Sequence, residues 1–102
     1  MKFLALLTMS AGSDRAAFPS LLVVEEQVIW ASYRVGLLRE KYFQRDPLAV
    51  SLIYETGSID EVHTELDKLP MVQAGLLDRQ IVSLGPWLPL EVMFDKSLMG
   101  ET

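Results

Sequence analysis

Gly57-Ser58-Ile59-Asp60-Glu61-Val62-His63-Thr64-Glu65-Leu66-Asp67-Lys68-Leu69-Pro70 reads as a short helix with both ends marked. Ser58 or Asp60 can cap its N-terminus, where a side-chain oxygen accepts from free backbone N–H groups. Ser58 is followed three residues later by Glu61, the capping-box pattern. Pro70 stops the helix, and Ile59, Val62, Leu66 and Leu69 fall on one face. The sequence on either side reads as strand. Leu48 to Thr56 is the most strand-like run of the chain, apolar enough for a central strand covered on at least one face. Asp46-Pro47 marks a turn, and Arg39 to Arg45 a strand before it.

Further upstream, residues 2–9 read as a first strand and Ala11 to Ala17 as a loop of small residues. Phe18-Pro19-Ser20 opens a long helix, since Pro suits a first helical turn. Leu21, Val24, Val28, Ala31 and Val35 recur at helical spacing, which predicts that they face a sheet. Gly36 stands where a left-handed C-terminal cap belongs. Downstream, Met71 to Leu77 reads as a connector and Arg79 to Leu84 as a fourth strand. Gly85-Pro86-Trp87-Leu88-Pro89 breaks it, and Leu90 to Phe94 reads as a short extra strand. The order is β-α-β-β-α-β, the ferredoxin-like α+β arrangement with helices on one face of an antiparallel sheet. Residues 1–94 are expected to form one domain and 95–102 a flexible tail.

Half of the 102 residues are hydrophobic, more than a small monomer easily hides. A second subunit covering the open face of the sheet would make a homodimer, a dimeric α+β barrel. The net charge of −5 and the lack of a Lys/Arg run argue against nucleic-acid binding. There is no cysteine and one histidine, so neither a thiol nucleophile nor a Cys- or His-rich metal site is expected. Met1 to Gly12 has the outline of a signal peptide, but a single Lys before a short apolar run reads better as a buried first strand. No segment is apolar over the roughly 18 residues a membrane span needs. The expectation is a cytoplasmic protein without a membrane partner.

Glu26, Trp30 and Tyr33 stand at i, i+4 and i+7, on one side of the first helix. A carboxylate beside two rings suits a general base with a stacking wall, and burial would raise its pKa towards neutrality. His63 borders the apolar stripe of the second helix and titrates near neutral pH, as a proton relay requires. Arg39 and Arg45 are in phase on the second strand, with Tyr42 on the opposite face. An Arg in a closed pocket would grip a carboxylate or enolate, and Tyr42 or Tyr54 could donate to an oxyanion. The plainer alternatives are a solvated Glu26, core rings, a structural His63 and Arg residues paired at a subunit seam. Trp87 reads as a packing or dimer anchor. Gly-rich phosphate loops, Gly-x-Ser-x-Gly elbows and His-Glu-x-x-His motifs are missing, so hydrolase and nucleotide chemistry find no support.

The wording Asp60-Glu61-Val62-His63-Thr64 … Leu66 … Leu69-Pro70 is similar to the second helix of muconolactone isomerases. Gly36, Glu25 and Arg34 also fall where that family has such residues. A closer resemblance is to small bacterial relatives of the isomerases and to YCII-type proteins. It rests on Gly36-Leu37-Leu38-Arg39-Glu40-Lys41-Tyr42-Phe43, Asp46, Leu69-Pro70-Met71-Val72-Gln73-Ala74-Gly75-Leu76 and Leu84-Gly85-Pro86. The resemblance implies the dimeric α+β barrel and cofactor-independent proton transfer. An isomerase or cyclase would act on an apolar oxygenated compound of lactone, aromatic or polyketide-like kind. In that reading Glu26, His63 and Tyr33 are catalytic, and Trp30, Arg39, Tyr42 and Arg45 bind substrate. A small-ligand-binding or self-assembling module of the same fold, and a cofactor-free oxygenase with Trp30 stacking an electron-rich substrate, are the alternatives.

Overall fold

Alternation of apolar residues along four strands sets the architecture. The structure is a computed structural model, and it describes residues 1–94. Strand β1 (Lys2–Met9) pairs antiparallel with β3 (Ala49–Glu55) on one side and β4 (Leu77–Leu84) on the other. Strand β2 (Leu38–Gln44) lies beyond β3, giving the order β2-β3-β1-β4. Helix α1 (Leu22–Arg34) connects β1 to β2, and helix α2 (Ile59–Asp67) lies between β3 and β4. This is the ferredoxin-like topology, the subunit architecture of dimeric α+β barrels.

The register shows which side chains share a face. Phe3, Ala5 and Leu7 stand opposite Tyr54, Leu52 and Val50, and with Leu38, Ile29, Val62, Leu66 and Leu69 they build the core under the helices. Leu4, Leu6 and Ile53 point the other way and are half-buried. Val82 and Leu84 share that outer face and are exposed.

Local chemistry explains the ends of the elements. The Glu61 N–H donates to Ser58 Oγ at 3.4 Å, and the Glu61 carboxylate accepts from the Gly57 N–H at 3.3 Å. This is the capping-box exchange displaced by one residue, and it satisfies two N–H groups that the helix cannot. Ser58→Ala is expected to lower stability by about 0.5–2 kcal/mol, the usual loss for a serine cap, as measured by urea unfolding. At the end of α1, Gly36 has φ of 85°. That conformation lets the Leu37 N–H reach Ser32 O at 3.1 Å and the Gly36 N–H reach Tyr33 O at 3.0 Å, the Schellman pair.

Four sequence expectations change. The stripe Val24, Ala31 and Val35 does not face the sheet; these residues are exposed, and Glu25, Ile29 and Ser32 are buried instead. A helix apolar nearly all round has no single stripe from which periodicity can choose the inner face. Ile59 is exposed although Val62 and Leu66 are fully buried. Pro70 does more than end α2: it opens a further short helix, α3 (Pro70–Gln73), within the expected connector. Leu90 to Phe94 is not an extra strand but lies in a 3-10 helix, Leu88–Phe94. Pro86 and Pro89 supply no N–H to a sheet ladder, so β4 cannot simply resume there. The tail expected from Asp95 lies outside the described residues.

Candidate functional site

Between α1 and the helix-side face of the sheet lies a cavity of about 490 Å³. Its sheet side is apolar, with Leu7, Val50, Leu52, Phe43 and Leu77. Leu22, Ile29 and Met71 close it from the helices, and Phe18 and Pro19 from the short 3-10 turn (Pro19–Leu21, capped by Phe18) that leads into α1. Arg15, Glu25, Glu26 and Lys41 are the charged groups on this wall.

Glu25 reaches the cavity because it shares the inner face of α1 with Ile29 and Ser32, at the spacing i, i+4, i+7. It is only 6% exposed. Its Oε1 accepts from the Met71 N–H at 3.0 Å, in the first turn of α3. Burial pushes the Glu25 carboxyl above its ordinary value. The Met71 hydrogen bond and the Lys41 charge act against that rise without cancelling it, and neighbouring Glu26 adds to it. The neighbouring carboxylate has a different setting. Glu26 is half-exposed at the rim, where its Oε1 lies 2.6 Å from Lys41 Nζ. Deeper in the core, burial raises the Tyr54 phenol strongly, with Glu65 and Glu25 adding to the effect.

The other residues singled out in the sequence lie elsewhere. Trp30 and Tyr33 share a side of α1 with Glu26, as the spacing predicts, but they stand on its outer surface. Their rings are 5.8 Å apart, and they flank a shallow groove between α1 and β2. His63 is half-buried on α2, with Nδ1 3.0 Å from an Arg79 guanidinium nitrogen, and Arg79 also bonds Asp67. That cluster does not line the cavity. Arg39 lies at the irregularity of β2 between Leu38 and Glu40, and Arg45 lies beyond the end of that strand, so regular strand alternation does not relate the two. Arg39 donates to Gly36 O at 2.7 Å, and Arg45, in the turn after β2, offers its carbonyl to Arg15 at 3.2 Å. The Tyr42 hydroxyl donates to Glu40 at 3.1 Å on the exposed side of the sheet. Of the seven residues singled out, the cavity wall includes Glu26 alone.

Glu25, Lys41 and Arg15 line the cavity although the sequence pattern does not point to them as site residues. One signal for Glu25 was present: it is in phase with Ile29 and Ser32. Lys41 is in phase with Phe43 on β2, but only the irregularity at Leu38/Glu40 fixes which face they share. Among the described residues no group of three or more His, Cys, Asp or Glu side chains could hold a metal ion. Nor is any helix of the described residues long and apolar enough to cross a membrane.

No family model matches the chain, and no curated protein does. Among solved structures it is similar to 5-chloro-2-hydroxyhydroquinone dehydrochlorinase from Burkholderia phenoliruptrix AC1100, in complex with 2,5-dihydroxybenzoquinone. The TM-score is 0.70 at 19% identity, over 83% of this chain and 94% of that one. The likeness is one of fold.

Proposed function

We propose that the cavity beneath α1 binds a small, mostly apolar, oxygenated compound of lactone or hydroxyaromatic kind, and that Glu25 transfers a proton on it without a cofactor. The observation that carries this reading is a buried carboxyl on the wall of a mostly apolar cavity. Burying a carboxyl there costs free energy, and sites that hold such groups are enriched in proton-transfer chemistry. A cavity of 490 Å³ lies within the usual range for small-molecule sites.

In this mechanism the Glu25 carboxylate removes a proton from a carbon next to a carbonyl. The C–H electron pair moves onto the carbonyl oxygen, giving an enolate. Lys41 and Arg15, both on the cavity wall, are the cations available to offset the charge on that oxygen. Return of the proton to a different carbon gives an isomer; departure of a leaving group instead gives an elimination. The dehydrochlorinase of similar fold supports a small oxygenated ring as ligand class. A homodimer fits the same reading: a second sheet would cover Leu4, Leu6, Ile53, Val82 and Leu84 on the outer face.

One observation favours a binding module without turnover. Glu25 caps α3 through the Met71 N–H, which is reason enough to keep an acceptor there. Under either reading the cavity is the ligand site. Calorimetry with 2,5-dihydroxybenzoquinone and α-angelica lactone tests that directly. At least one is expected to bind, and Val50→Phe, which adds a ring to the cavity wall, should weaken that binding at least tenfold in a protein with an unchanged circular dichroism spectrum. Equal binding by the folded variant would place the ligand elsewhere.

A further inference from the structure

The outward side of α1 is more apolar than a helix in water requires. Val23 is 69% exposed, Trp30 60% and Tyr33 53%. At about 100° per residue these three share a face with Glu26, Gln27 and Arg34, turned away from buried Glu25, Ile29 and Ser32. Trp, Tyr and Arg are the residue types that most often anchor protein interfaces, and here all three fall within five consecutive residues. Among the described residues Arg34 has no carboxylate at salt-bridge distance.

The charges on this face are arranged for self-recognition. Glu26 and Arg34 each stand four residues from Trp30, on opposite sides of it along the helix. A surface that meets its own copy about a two-fold axis must be self-complementary. We infer that this face of α1 packs antiparallel against α1 of a second copy, with the two-fold axis at Trp30. Trp30 then meets the partner's Trp30, and Glu26 of each copy lies level with the partner's Arg34. A parallel arrangement would place like charges side by side and is disfavoured. The surface is separate from the outer face of the sheet, so this contact adds to a sheet-to-sheet dimer and does not replace it. Because Glu26 also borders the cavity, assembly would bring the partner's Arg34 towards the rim.

The chain has no cysteine, which permits a test that reads register as well as association. Glu26→Cys and Arg34→Cys are made as separate variants, mixed, and oxidised under mild conditions. The inference predicts a covalent dimer in the mixture and little in either variant alone. In the antiparallel pair identical positions stand roughly 12 Å apart along the helix, eight residues at 1.5 Å each. Disulfides need Cα atoms within about 7 Å. Light scattering is expected to show Trp30→Glu, folded by circular dichroism, at half the wild-type mass. No mixed disulfide, equal cross-linking in Glu26→Cys alone, or an unchanged mass for Trp30→Glu would each overturn the inference.

Discussion

Glu25→Gln is expected to lower turnover by about 10²–10⁴-fold, the usual contribution of a general acid or base, and to raise stability at neutral pH. Both effects follow from one side chain. Gln keeps the oxygen that accepts from the Met71 N–H, so α3 stays capped. It cannot take up a proton, so the chemistry stops. The stability effect has a definite sign. Burial raises the folded-state pKa of Glu25 above its unfolded value. Between those two values the native state binds more protons than the unfolded one, and stability falls as pH rises. Wild type is therefore favoured at low pH, below the ordinary Glu value of about 4.3. It loses that contribution as pH climbs through the raised value. Thermal melts of both proteins from pH 4 to pH 8 should show the variant gaining on wild type across this window. Above the raised pKa, wild-type turnover should level off, because Glu25 is then fully available as a base. A variant that keeps wild-type turnover would mark Glu25 as a cap only, since Gln preserves the bond to the Met71 N–H.

Leu66→Ala is expected to cost about 2–5 kcal/mol, the range for large-to-small changes in closed cores. Leu66 is fully buried, in one cluster with Phe3, Leu7, Leu52, Tyr54 and Val62. The substitution removes three carbons from a place where α2 meets the sheet. Residues on both sides belong to regular elements, so they can close the gap only in part. Urea unfolding of the two proteins gives the number. A loss below about 1 kcal/mol would mean that α2 can settle onto the sheet more freely than this packing allows.

The contrast between α2 and α1 shows how far the sequence was legible. In α2, Ser58, Glu61, Val62 and Leu66 act as read, because capping is local and the apolar face stands against charged residues on the other side. Element order and the ferredoxin-like arrangement were legible for a similar reason: Gly36, Pro47, Gly57, Gly75 and Gly85 stand near the ends of β2, β3 and β4, and the connection lengths allow few arrangements. In α1 the apolar residues run nearly all round, so the inner face is decided by how the helix docks, not by its period. That one rotation buries Glu25 on the inner face of α1, leaves Glu26 at the cavity rim and puts Trp30 and Tyr33 on the outer surface. Strand alternation could not relate Arg39 to Arg45 either, since Arg39 sits at the irregularity in β2 and Arg45 beyond its end. His63 looked free in the sequence because Arg79, its partner, lies on a different element.

The central claim is that Glu25 moves a proton on a ligand held beneath α1. The most direct measurement is solvent-deuterium incorporation into α-angelica lactone incubated in D₂O, followed by NMR. Wild type should exchange ring hydrogen for deuterium well above the uncatalysed rate, and Glu25→Gln should return it to that rate. Exchange by wild type at the uncatalysed rate, or equal exchange by both proteins, would contradict the claim.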